Sequence, residues 1–140
     1  MPNDKAKKIL VVDDDPDIID AVKTLLEAKG YQVADATSGE KGFEKAKVFK
    51  PNLILLDVMM KTDSEGLETA MNLKNDVATK NMPVIIMTGI RKAMYLPFSF
   101  EPNDEWPNVR AVLEKPVKPE ELLKHIEKIL SGAQSQMSPL

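Results

Sequence analysis

The chain has 140 residues, 43% hydrophobic and 29% charged, the balance of one globular domain rather than of a disordered chain. A domain of that size buries roughly two-thirds of its unfolded surface. The absence of cysteine removes disulfides, thiolate metal sites and cysteine nucleophiles, and a formal net charge of −3 argues against nucleic-acid binding as the main activity. The opening MPNDKAKK carries no apolar signal core and no run reaches transmembrane length, so a cytoplasmic protein without membrane contact is expected.

Short apolar runs alternate with helical patterns. KILVVD (8–13) is a continuous apolar run, as in a strand covered on both faces. Asp15 can cap a following helix with Pro16 at its first position, where the missing N–H costs nothing. Ile18, Val22, Leu25 and Leu26 recur at helical spacing, and Gly30 can supply a left-handed terminal residue. YQVADA (31–36) predicts a second, more polar strand nearer a sheet edge. Thr37 and Glu40 fit a capping box for a helix over 38–49, which Pro51 ends. NLILLD (52–57) predicts a third strand. A helix over 65–79 follows, with Leu67, Ala70, Met71 and Leu73 near one face. PVIIMT (83–88) and VRAVLE (109–114) predict the fourth and fifth strands. The last helix runs from Pro119 to Leu130 on a stripe of Leu122, Leu123, Ile126, Ile129 and Leu130, stopped at Gly132. One domain over 6–131 with a flexible tail over 132–140 is expected.

Strand–helix alternation implies a parallel sheet with helices on both faces. In such sheets chemistry sits beyond the carboxyl ends of the strands. Those ends carry Asp13 and Asp14, then Asp57, then Thr88 and Gly89, then Lys115 and Pro116. If the first and third strands are neighbours, their ends lie about 4.8 Å apart and bring Asp14 to Asp57. Two carboxylate charges about 4 Å apart repel by roughly 4 kcal/mol at an effective dielectric near 20, so water or a cation must relieve them. Carboxylates with open oxygen positions suit a hard octahedral cation such as Mg²⁺. A carboxylate beside Mg²⁺, a hydroxyl and a lysine is also an acceptor site for a phosphoryl group. The plainer alternative is that the acidic trio caps and solvates a helix N-terminus; Asp15 is assigned that role alone.

ILVVDDD, LILLDVMM, PVIIMTG and LEKPVKPEEL, in this order and each at a strand end, resemble the receiver domain of two-component response regulators over residues 6–131. The resemblance implies a flavodoxin-like doubly wound sheet of order 2-1-3-4-5. It implies that Asp57 is the phosphoacceptor, taking a phosphoryl group from a histidine kinase or phosphotransfer protein. It implies Asp14, Asp57 and the Met59 backbone carbonyl as Mg²⁺ ligands, with Asp13 acting through a metal-bound water. Lys115 would pair with phosphoryl oxygens, and the Thr88 hydroxyl would move to meet them. Met59 and Ile90, at the family's positions for tuning dephosphorylation, are apolar and offer nothing to orient a water, so slow loss of phosphate is expected.

The departures are informative. Lys61 stands where the family has proline, in a KTDSEG turn one residue longer. Val112 stands at the aromatic switch position. The interval from Thr88 to Lys115 is long and holds Pro97, Pro102 and Pro107, which disfavour a regular fourth helix over 96–107. Tyr95, Phe98, Phe100 and Trp106 within it either cover a sheet face or present a partner or dimer surface. His125 falls off the apolar stripe and is expected to be a solvated side chain. About ten residues follow the last helix, too few for a DNA-binding module, so the expected function is a phosphoacceptor switch acting by protein contact. It is not a classical enzyme: a haloacid-dehalogenase-type phosphatase needs a second aspartate where Met59 stands, and a flavin carrier would not place three aspartates in its phosphate loop. The remaining alternative is a pseudo-receiver that binds partners without phosphorylation.

Overall fold

Alternation of apolar residues along the strands supplies two cores, one on each side of a single sheet. The computed structural model describes residues 6–58, 63–89 and 107–131, with backbone only at 63 and 64. Met59, Lys61, Ile90, the aromatic segment 94–106, Gly132 and the tail lie outside these residues, and with them the expectations made for them. The described strands are β1 (Lys8–Val12), β2 (Gln32–Ala36), β3 (Leu53–Asp57), β4 (Val84–Gly89) and β5 (Val109–Lys115). They pair in parallel in the order β2-β1-β3-β4-β5, as the resemblance implies, with β2 at an edge as its polarity suggested.

The helices among the described residues are α1 (Pro16–Ala28), α2 (Gly39–Phe49), α3 (Asp63–Asn75) and α4 (Pro119–Leu130). Ile9, Val11, Leu53, Leu55, Ile85 and Met87 pack with Ile19 and Leu26 of α1 and Leu122, Ile126 and Ile129 of α4. Leu10, Val12, Ile54, Leu56, Val84 and Ile86 pack on the opposite side with Ala46 of α2 and Ala70 and Leu73 of α3. Each fully buried branched side chain contributes roughly 1.5–3 kcal/mol relative to exposure, so these two layers hold the sheet's edges in register.

Several local expectations hold and others shift. Asp15 caps α1 by accepting from the Asp17 N–H, with Pro16 opening the helix. Gly30 is left-handed at φ 93°. The N-cap of α2 is Ser38, not Thr37: its side-chain oxygen accepts from the Lys41 N–H at 3.2 Å, and Thr37 is exposed. At the other end Lys50 turns left-handed ahead of Pro51. Helix α3 begins and ends earlier than the 65–79 periodicity predicts. The Thr79 hydroxyl donates to the Leu73 carbonyl at 2.7 Å and Asp76 Oδ1 accepts from the Ala78 N–H at 2.8 Å. These local bonds satisfy the last carbonyls and compete with further helix. Met71 stays 43% exposed although it lies near the apolar stripe, while Ile19, not singled out by spacing, is buried.

Candidate functional site

Register decides which side chains meet at the carboxyl edge. Val12 lies opposite Leu56, so Asp13 comes level with Asp57. Gly89 lies opposite Lys115 across β4 and β5. Asp13 shares the parity of Ile9 and Val11, Asp57 that of Leu53 and Leu55, and Lys115 that of Ala111 and Leu113. All three therefore emerge on the face covered by α1 and α4.

Asp13 and Asp57 are buried, at 0% and 1% exposure, and Asp14 is half-buried. One carboxylate oxygen from each of the three lies within 4.8 Å of the others. The spacing and the all-oxygen donor set fit a hard divalent cation, and the half-buried Asp14 leaves the cluster open to solvent ligands. Asp13 Oδ1 also accepts from the Asp15 N–H at 2.9 Å, so its carboxylate is fixed by its own turn.

Sequence spacing missed how the charges are relieved. Lys115 Nζ donates to Asp13 Oδ2 at 2.9 Å and lies 3.2 Å from Asp57 Oδ2. The lysine expected to meet phosphoryl oxygens thus already serves as the internal counter-charge of Asp13 and Asp57. Partial burial pulls the Lys115 ammonium down, but the Asp13 hydrogen bond and the two carboxylate charges together hold it above the usual lysine value. The Lys115–Pro116 peptide is cis. The signal available in sequence was parity: residues 13, 57 and 115 fall on one face once the strand frames are set.

Thr88 follows the parity of Val84 and Ile86 and is 2% exposed. Among the described residues its hydroxyl has no hydrogen-bond partner. A buried hydroxyl left unpaired costs about 1–3 kcal/mol, so something must normally compensate. Val112, which the resemblance places at the aromatic switch position, is half-buried against the Leu10 core. His125, expected to be solvated, is half-buried on α4 and lines a surface depression with Glu121 and Arg110. An apolar groove of about 450 Å³ lies between α1 and α4 next to Lys115, lined by Ile18, Val22, Leu25, Val117 and Leu122. No helix among the described residues is long and apolar enough to cross a membrane.

The model of the response regulator receiver domain matches residues 9–127. The chain belongs to that family. Protein PilH of Pseudomonas aeruginosa is 34% identical over 128 residues, which cover 89% of this chain and 98% of PilH. The DNA-binding dual master transcriptional regulator RpaA of Synechocystis is 33% identical over 137 residues, but the chain spans only 56% of its length. Among solved structures, the CheY-like receiver domain protein of Methanospirillum hungatei superposes with a TM-score of 0.72 at 29% identity, covering 94% of this chain and all (100%) of that one. The signal receiver domain of a histidine kinase from Syntrophus aciditrophicus gives 0.75 at 28% identity, covering 96% and 98%. Receiver domains are phosphoacceptor switches of two-component signal transduction rather than classical enzymes, and this chain's acidic pocket is consistent with the Mg²⁺ such domains bind.

Proposed function

We propose that this receiver domain, residues 6–131, accepts a phosphoryl group on Asp57 from a histidine kinase or phosphotransfer protein in a Mg²⁺-dependent reaction and signals by contact with another protein. The observation that carries the reading is the convergence of Asp13, Asp14, Asp57 and Lys115 at the carboxyl edge. An Asp57 carboxylate oxygen attacks the phosphorus of the donor. The new O–P bond forms as the donor's P–N bond breaks, and the electron pair leaves with the histidine nitrogen. Mg²⁺ held by Asp14, Asp57 and the Met59 carbonyl, with Asp13 acting through a water, would neutralise charge on the transferring group. Lys115 exchanges its Asp57 contact for phosphoryl oxygens while keeping Asp13. The Thr88 hydroxyl gains a partner only in the phosphorylated state, which shifts the equilibrium between conformers by that differential interaction.

A donor protein must reach the carboxyl edge to deliver its phosphoryl group, and the apolar groove between α1 and α4 offers it a surface beside Lys115. Lys115 belongs both to the groove's lining and to the site, which favours the donor as the groove's occupant. Incubation with acetyl phosphate and Mg²⁺ should add a single phosphoryl mass to the intact protein. The addition should vanish in Asp57→Asn and without the cation. An unmodified wild type under the same conditions would instead support constitutive binding without phosphorylation.

A further inference from the structure

Asp15 is exposed and stands outside the carboxylate trio, yet it is bonded to it. Its backbone N–H donates to Asp13 Oδ1 at 2.9 Å, and its own Oδ1 accepts from the Asp17 N–H at 3.0 Å. Each bond closes a turn by joining an aspartate side chain to the N–H two residues on. The first turn encloses Asp14, and the second encloses Pro16, whose ring fixes its φ. Asp15 is the corner they share: with φ −101° and ψ 109° it is extended, donating into the first turn and capping α1 through the second. Its carbonyl accepts from the N–H of Ile19 at 3.1 Å, and Ile19 is buried in the core under α1.

Both carboxylates of the β1 end depend on this corner. Asp13 is held from three directions: its N–H donates to the Ala36 carbonyl at 3.1 Å, its Oδ2 accepts from Lys115 Nζ at 2.9 Å, and its Oδ1 accepts from Asp15. Lys115 divides itself between Asp13 and Asp57 on a long side chain, whereas the Asp15 N–H is backbone, tied to the first turn of α1. Asp14 is the middle residue of the first turn, so closing that ring also sets the direction in which its backbone presents the carboxylate. A loosened cap at Asp15 would free Asp13 Oδ1 and Asp14 together. The sequence assigns Asp15 only a capping role, because spacing shows the helix start and not the bond back to Asp13.

We infer that Asp15 is a positioning residue for the divalent cation: by capping α1 it anchors the turn whose closure orients Asp13 and Asp14. The inference rests on the proposed reading of Asp13, Asp14 and Asp57 as the Mg²⁺ site. Calorimetric titration of the full chain with MgCl₂ tests it, beside amide exchange at Asp15. Asp15→Ala should weaken Mg²⁺ binding about fivefold, the equilibrium equivalent of one lost helix cap, and speed Asp15 exchange. Asp15→Asn keeps the capping oxygen without the charge and should bind within about twofold of wild type. Asp15→Glu keeps the charge but carries its oxygens one methylene too far; it should behave like Asp15→Ala and serves if the alanine variant does not fold. Ser38→Ala removes the cap of α2 instead and should leave Mg²⁺ affinity unchanged. Unchanged Mg²⁺ affinity in Asp15→Ala would make Asp15 a helix cap only and overturn the inference. Equal weakening in Asp15→Asn and Asp15→Ala would also overturn it, since the effect would then be one of charge. Weakening of the same size in Ser38→Ala would overturn it as well, as the mark of a general loss of stability. A wild type that binds no Mg²⁺ would instead refute the reading of the acidic cluster itself.

Discussion

A buried carboxylate pair is held here by one lysine. Breaking a buried ion pair by removing one partner costs up to about 3–5 kcal/mol, and the 23% exposure of the Lys115 side chain places this site below that range. Lys115→Met should therefore destabilise the metal-free protein by about 2 kcal/mol in urea unfolding, with Mg²⁺ restoring part of the loss. The pH dependence follows from the raised folded-state value of Lys115. Its contribution is fully present below the unfolded lysine value of about 10.5 and disappears as pH rises through the higher folded value. Wild type in EDTA should lose stability through that alkaline window, and Lys115→Met should lose less. Thr88 predicts the opposite sign. Thr88→Val removes an unpartnered buried hydroxyl at nearly constant volume, so the unphosphorylated protein should gain about 1 kcal/mol. A loss of stability in that variant would show that the hydroxyl is already paired.

Helix placement in this chain depends on close approach more than on propensity. Gly42 of α2 sits where a Cβ would come within 2.7 Å of Val12 Cγ2, against β1 and one residue from Asp13. Alanine is the better helix former by about 1 kcal/mol. Overpacking costs about 1–3 kcal/mol, so Gly42→Ala should lower the thermal midpoint, and Val12→Ala in the same chain should recover part of it. These contacts also explain what sequence patterning missed. The capping pattern T-x-x-E pointed to Thr37, yet the cap is Ser38, because a capping residue is chosen by where the chain leaves β2 and not by a motif match alone. Periodicity extended α3 to 79, but Asp76 and Thr79 bond the local backbone and stop it at Asn75. The stripe of α4 was legible because its apolar spacing has no competing pattern, whereas the order of the strands came from the resemblance and not from spacing.

At the scale of the whole molecule, two-sided burial of a parallel sheet leaves its carboxyl edge as the place where polar groups gather. Asp13, Asp57, Thr88 and Lys115 could be placed there from sequence because each directly follows or ends an apolar run. The pairing of Lys115 with Asp13 could not, since it depends on register across three successive strand pairs, from β1 through β3 and β4 to β5. Reduction of the phosphorylated protein tests the central claim most directly. Borohydride converts an aspartyl phosphate to homoserine and leaves free carboxylates intact. After acetyl phosphate and Mg²⁺, peptide mapping should find homoserine at position 57 alone, and none when Mg²⁺ is chelated. Homoserine at position 13 or 14, or at no position, would contradict the assignment of Asp57 as the acceptor.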